Sequence, residues 1–515
     1  MCRYLFLSFF LLQTSLYSYS QLQAKHNAAG NMLQRSLPEQ QGVSSAAVID
    51  FLDAAGKSKH EFHSFIFLRH GKIVAEGWWD PYKPGLKHTL YSLTKSFMST
   101  AAGFAISEGR FSLSDKVVDF FPDKLPDTLS DYWKRMTVRD LLTMSTGQDP
   151  DPTLKIVGSA DWTKTAMTIP VVHKPGTTFV YNNVGPNLLS AILQKKTGQT
   201  VMSYLKPRLF DPLGITDIDW ERDPQGNNTG GWGLRTTTES LARLGLLYLQ
   251  KGKWNGRQVL PESWTEEASS VQIRQKAEPS ASSDWEQGYG YYLWRCRNNA
   301  YRGDGAFGQF MIVLPEQDAV IAITAETQDM QGELNLVWQY LLPSMHNNVL
   351  PANAAAAAQL KKKLSSLKLP APAPGNVSPL RQSINGSSFE VQPNDAGLKN
   401  ISFRFAKDTC FVSLKTDKSD WRLPFTQGKW LPGKTARRGP YLLASANITG
   451  PSSFQTAAAC HWKDAQTLEL VLRYIDTPHT ETFVCRFNDN DITVEIHNSM
   501  FPSQVITGHG SKSRQ

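Results

Sequence analysis

The stretch SLTKSFMSTAAGFAISE, residues 92–108, repeats Leu93, Phe97, Ala101 and Ala105 at four-residue intervals, an apolar face close to the 3.6 period of a helix that Gly109 stops. Ser92 and Lys95 stand at its start, so a hydroxyl and an ammonium lie one turn apart on the same face. A serine hydroxyl near its free pKa is a poor nucleophile, whereas a lysine desolvated in a pocket sheds its charge and accepts the serine proton. Just upstream, SFIFLR (64–69) and IVAEGW (73–78) are β-rich runs joined by His70-Gly71-Lys72, which predicts a hairpin. The candidate nucleophile is therefore fixed at a sheet edge. Ser-x-x-Lys recurs at Ser203/Lys206, inside a polar helix that ends at Pro207, and at Ser365/Lys368, in a linker. Both read as surface residues.

Downstream, residues 115–206 read as short helices and loops punctuated by Pro and Gly, a helical insertion. LARLGLLYLQ (241–250) predicts a helix, residues 290–295, 310–314 and 319–324 predict strands with a turn at 315–318, and residues 334–342 predict a closing helix. Strands at both ends with helices between predict an α/β fold: one antiparallel sheet flanked by helices, with an inserted helical lobe. Residues 351–375, an Ala run, a Lys cluster and PAPAPG, read as a linker. Residues 376–515 alternate in short pieces and predict an all-β barrel or sandwich.

The 515 residues, 41% hydrophobic and 19% charged, exclude a disordered, collagen-like or polytopic membrane chain and fit two or three domains. The net charge of +8 resides wholly in residues 351–515, which hold 20 basic and 12 acidic side chains. With no zinc-finger spacing or recognition-helix pattern, nucleic acid is not an expected partner, and at most a weak polyanion or surface contact through the basic C-terminal module follows. Arg3 followed by an apolar run at residues 4–12 and by Ser18-Tyr19-Ser20 predicts an export signal cleaved after Ser20, leaving a mature domain from residue 21 to about 350 in the periplasm or outside the cell. Cys296, Cys410, Cys460 and Cys485 then remain, an even count in a compartment that permits disulfides, with the pairing open.

Taken in series, SLTK (92–95), PGTTFVYNN (175–183) and GGWGLRTTTESLARLG (230–245), with TVRDLL (137–142) and Thr146-Gly147 between them, resemble the serine β-lactamase and penicillin-binding protein superfamily, in its class C β-lactamase-related branch. The resemblance runs from about residue 40 to 345. It implies a β-lactamase/transpeptidase-like fold in which Ser92 is the acylated nucleophile, Lys95 its proton partner and Tyr181 a proton-shuttling phenol. Asn183 would orient Lys95 and the substrate. The oxyanion would sit between the N–H of Ser92 and one on a facing strand, at Gly305 or Ala306. No cofactor or metal is implied.

That strand departs from the family. Where Lys or His, a small residue and Gly are common, this chain has Arg302-Gly303-Asp304-Gly305-Ala306, with Gly303 at the place of the cation that helps hold a substrate carboxylate. Arg302, one residue off, points to the opposite face of an alternating strand. The reading is an exported serine hydrolase of a small-molecule or peptide-like substrate, an esterase or amidase before a β-lactamase or D-alanyl peptidase. The alternative is a penicillin-binding-type scaffold or sensor with little turnover, and oligomeric state is left open. GxGxxG at 303–308 precedes a strand instead of a helix and is not a dinucleotide site. His60 and His63 read as surface residues; Trp78, Trp79 and Trp232 are either an aromatic wall or core.

Overall fold

The computed structural model describes residues 32–512. The export signal read in the first twenty residues lies outside them. Six strands form the main sheet: β1 (Glu61–Arg69), β2 (Lys72–Trp78), β3 (Trp294–Arg295), β4 (Tyr301–Gly305), β5 (Gln309–Leu314) and β6 (Ala319–Glu326), in the antiparallel order β2-β1-β6-β5-β4-β3. The first hairpin and the last three strands, some 250 residues apart in the chain, therefore close on one another through β1 and β6. Phe65 to Leu68 is an unbroken apolar run because both faces of β1 are covered. Phe65 and Phe67 pack with Phe310, Ile312, Ile321 and Ile323 under α1 (Ser45–Lys57), while Ile66 and Leu68 pack with Met311, Val313 and Val320 on the other face.

The second face carries α2 (Thr94–Ser107), α3 (Val184–Thr197) and α4 (Thr238–Leu249), and the short helices of the inserted lobe. α2 is buried all round from Thr94 to Ala105, not only along the apolar stripe that the sequence shows, because it is sandwiched between sheet and lobe. Ser92 sits in the 3₁₀ turn Tyr91–Leu93 that enters it. Residues 290–293, expected as strand, instead turn against the end of helix Glu262–Ser269, with Tyr291 N–H donating to Ala268 O (3.0 Å), and only Trp294–Arg295 joins the sheet. The closing helix begins earlier than expected, at Met330, and widens into a π turn over Val337–Leu341.

The segment read as a linker contains α5 (Ala354–Ser365), which lies on α1 and β2 with Leu360 buried and Lys363 paired with Asp53. Beyond it stand β7 (Ser387–Val391), β8 (Asn400–Ala406), β9 (Thr409–Lys415), β10 (Asp420–Gln427), β11 (Leu431–Thr435), β12 (Phe454–Trp462), β13 (Thr467–Tyr474), β14 (Thr480–Asn488), β15 (Asp491–Asn498) and β16 (Gln504–Lys512). Their order, β10-β9-β8-β7-β16-β15-β14-β13-β12-β11, is closed by β10 pairing with β12, so nine strands make a barrel and β11 lines its outer edge. Inward positions alternate with outward ones, and Phe389, Phe403, Leu470, Trp462 and Phe487 fill the interior.

Cys410, Cys460 and Cys485 belong to that interior, and with Cys296 they are buried free thiols, not disulfides. Burial pushes the Cys460 thiol up to about 12 and that of Cys296 up to about 11. The barrel also lies against the N-terminal domain over a polar contact that the sequence did not announce. Arg473 pairs with Glu61 (3.0 Å), Arg235 with Asp476 (3.0 Å) and Arg438 with Glu221, whose other oxygen accepts from the Tyr441 hydroxyl (2.7 Å). His63 is enclosed and not on the surface: it stacks on Tyr82 (3.8 Å between centroids), hydrogen-bonds His88 (3.0 Å), and its Nε2 lies 3.1 Å from Glu61, the carboxylate that Arg473 of the barrel also binds. His60 is likewise buried, its Nδ1 2.8 Å from the Thr327 hydroxyl.

Candidate active site

Lys95 is the centre of the site. Its side chain is buried and its ammonium donates to Ser92 Oγ (3.0 Å), Asn183 Oδ1 (2.7 Å) and the Gly231 carbonyl (2.8 Å), which uses all three protons. No carboxylate touches it. Burial therefore dominates, against weaker opposition from the Asp151 and Asp304 charges, and lowers its pKa to about 7. A neutral amine in the same pose keeps two donors for Asn183 and Gly231 and turns its lone pair to the Ser92 proton.

Several residues that looked like mere signposts prove to build this pose. The Thr137–Asp140 capping box starts the helix Val138–Leu142, which leads to Ser145 and Gly147; these hold the loop before Tyr181 through Gly176 N–H to Ser145 O (2.8 Å) and His173 N–H to Gly147 O (3.0 Å). Asn182, fully buried, accepts from Gly185 N–H (3.1 Å) and so anchors the start of α3, leaving Asn183 aimed at Lys95. A Cβ on Gly231 would stand 2.4 Å from Asn183 Oδ1, and one on Gly230 1.9 Å from Pro186 O. Only the glycine pair lets this backbone close over the lysine.

Tyr181 lies with its ring 4.7 Å from Lys95 Nζ and stacks on Trp294 (5.4 Å between centroids, 27°). Burial and the nearby Asp304 charge push its phenol well above its ordinary range, although a hydrogen bond with Ser92 works the other way. It is a phenol, not a phenolate, across the physiological range. Gly305 lies on the strand facing Ser92: a Cβ there would meet Leu90 O at 1.9 Å, so this strand approaches the turn that holds Ser92 more closely than any side chain permits. Ala306 follows at the strand end, its carbonyl accepting from Gln309 Nε2 (3.1 Å).

The departure at residue 303 has a steric cause. A Cβ on Gly303 would lie 2.3 Å from Ser96 Oγ, leaving no room for a lysine or histidine stem. Arg302 points to the other face, as strand alternation requires, and is sealed there: its guanidinium binds Asp304 (2.8 Å), the Asp284 carbonyl (2.8 Å) and Cys296 Sγ (3.1 Å) over the Trp285 ring. The Arg-Gly-Asp tripeptide is thus an internal ion pair. Thr200 caps the helix of Ser203, its hydroxyl donating to Ser203 Oγ (2.9 Å), and Lys206 pairs with Asp211, away from Ser92 and Lys95. Trp79 stacks on Phe62 (5.6 Å) and Trp232 lies tilted against Trp162 (5.5 Å), as core. The aromatic wall beside Tyr181 is made instead by Trp294, Tyr289 and Phe179, which the sequence reading missed, as it missed Gly231 as a lysine ligand and Asp304 as a buried carboxylate whose charge acts on Lys95 and Tyr181.

A family model described as Beta-lactamase matches residues 39–342, more than half of the chain. The chain belongs to the beta-lactamase family. The 6-aminohexanoate-dimer hydrolase of Paenarthrobacter ureafaciens is 25% identical over 278 residues, covering 50% of this chain and 71% of that protein. Protein flp of Staphylococcus aureus (strain COL) is 27% identical over 173 residues, 31% of this chain and 34% of that protein, so the match spans about a third of its length. Among solved structures, one from Bacillus anthracis named "Putative 6-aminohexanoate-dimer hydrolase" covers 62% of this chain and 89% of its own, with a TM-score of 0.51 and 19% identity, a likeness of fold. Family membership places this chain among the serine hydrolases of the β-lactamase and penicillin-binding protein superfamily.

Proposed function

We propose that this protein is an exported serine hydrolase that forms an acyl-Ser92 intermediate on a small ester, amide or peptide-like substrate. The observation that carries the reading is the buried Lys95 amine, 3.0 Å from Ser92 Oγ and brought to a pKa of about 7. Above that pH the neutral amine takes the Ser92 proton as Oγ attacks the carbonyl carbon. The carbonyl electron pair moves onto oxygen between the N–H groups of Ser92 and Ala306, and collapse of the adduct expels the alcohol or amine, which receives its proton through Tyr181. Water then attacks the ester of Ser92, giving up a proton to the same pair, and releases the acid.

The filled space at Gly303 favours an ester or amide without a carboxylate that needs a cation there, and argues against a β-lactam or D-alanyl peptide. Export rests on the Arg3 and apolar-run pattern of the leader. The test is steady-state turnover of p-nitrophenyl acetate, a short-chain p-nitroanilide and benzylpenicillin. Many turnovers of ester or anilide, lost in Ser92→Ala, with none of penicillin, support the proposal. At most one equivalent of product per chain contradicts it in favour of a scaffold, and penicillin turnover moves it toward cell-wall chemistry.

A further inference from the structure

The residue before the nucleophile, Tyr91, has a positive φ of 47°, and the residue after Ala306, Phe307, one of 68°, backbone states that bulky side chains hold only when their surroundings impose them. The two rings lie 5.4 Å apart, and side chains of the barrel pack against both. The turn between β13 and β14 carries His479, fully buried, whose Nε2 lies 2.6 Å from the Tyr91 hydroxyl and whose Nδ1 lies 2.7 Å from Glu326 Oε1 at the end of β6. With the Nδ1 proton donated to the carboxylate, Nε2 accepts from the phenol, giving a Glu326–His479–Tyr91 chain. The same imidazole meets the Phe307 ring edge-on at 4.7 Å. Tyr441, from the loop between β11 and β12, stacks on Tyr91 at 5.6 Å, and Asp476 O accepts from Thr89 N–H at 3.0 Å.

We infer that His479 is a positioning residue of the acyl-transfer site, so that the β barrel completes the active site of the lobe to which it is joined. The peptide plane that aims the Ser92 N–H is set by the backbone angles of Tyr91, and the turn that ends at Ala306 is set by Phe307. One imidazole holds both. The inference rests on the reading of Ser92 as the acylated residue. It makes the barrel part of the machinery of acylation instead of a passenger behind a spacer.

The test compares His479→Ala, His479→Gln and Tyr91→Phe with wild type in the full chain, with Trp430→Phe as a control for the barrel contact, since Trp430 Nε1 donates to Leu369 O (2.8 Å) in the segment that leads into the barrel. Misaiming an oxyanion donor costs less than deleting one, which is worth about 100- to 1,000-fold. His479→Ala is therefore expected to lower kcat and the rate of Ser92 labelling by a fluorophosphonate about 10- to 100-fold, with KM within about three-fold. Glutamine, which retains a donor and an acceptor on one group, recovers part of that loss. Tyr91→Phe, which keeps the ring and its packing, should reproduce the kcat loss and show no further loss when combined with His479→Gln.

A His479→Ala protein with wild-type kcat and labelling overturns the inference, as does a change in KM alone or an equal loss in Trp430→Phe. If His479→Ala fails to fold, a Tyr91→Phe protein of unchanged kcat overturns it by itself. Wild-type chain that never labels at Ser92 is the separate failure, that of the acyl-serine reading.

Discussion

Replacing Asn183 by Asp tests whether Lys95 is the base that activates Ser92. The Asn183 carbonyl oxygen stands 2.7 Å from Lys95 Nζ, so the substitution sets a carboxylate against an amine that has no carboxylate in contact. The ammonium is disfavoured in the wild type because it is buried, which gives a pKa of about 7. An opposite charge within about 4–6 Å favours the charged form by about 1–3 units. At pH 7 the neutral fraction then falls from about one half to between about one-tenth and one-thousandth, so acylation slows about 5- to 500-fold and returns as the pH rises. The assay is the pre-steady-state release of p-nitrophenol from p-nitrophenyl acetate between pH 5 and 10.5. The wild-type rate should climb with pH to a plateau with its midpoint near 7, since protonation removes the base. In Asn183→Asp the midpoint should move up by at least one unit. Tyr181, pushed far above its ordinary range, contributes no limb near neutrality. A midpoint that stays near 7 in the variant would refute Lys95 as the titrating group.

Three other outcomes follow from packing. Gly303→Ala should lower stability by about 1–3 kcal/mol in denaturant melts, since its Cβ meets Ser96 Oγ at 2.3 Å, and a neutral effect would show that the strand can yield. Leu360→Ala should cost about 2–5 kcal/mol, because this residue of the expected spacer is buried against the α1 face; a loss below about 0.5 kcal/mol would return the segment to a spacer. Alkylation of the native protein without reductant should leave Cys296, Cys410, Cys460 and Cys485 unmodified, and alkylation after unfolding should modify all four by mass spectrometry. A bridged pair in the unfolded sample would contradict the free thiols.

Much of this architecture was legible because local pattern and global fold agree. Residues 65–68, 310–314 and 319–323 are apolar without interruption because the sheet is covered on both faces, and Ser92, Lys95 and Asn183 meet where the motif order implies. Even the glycine that breaks the family pattern carried information, since residue 303 faces α2 at a distance only a hydrogen atom fills. Other features were hidden for physical reasons. The Leu360 and Leu364 spacing of a packed helix is outweighed by the Ala, Lys and Pro composition around it. His63 looks like a surface histidine until Tyr82 and His88, some 20 residues on, fold over it. Tyr91 and His479 lie 388 residues apart, a pairing that no periodicity in either segment signals.

The central claim is that Ser92 is a nucleophile activated by Lys95. Intact-protein mass spectrometry after incubation with a fluorophosphonate tests it most directly, comparing wild type with Ser92→Ala and Lys95→Ala at pH 8. The account predicts one phosphonyl adduct per wild-type chain, mapped to Ser92, absent from Ser92→Ala and formed at least a hundred-fold more slowly in Lys95→Ala, about the contribution of a general base. An adduct that persists in Ser92→Ala, or a wild-type chain that takes up none, would contradict it.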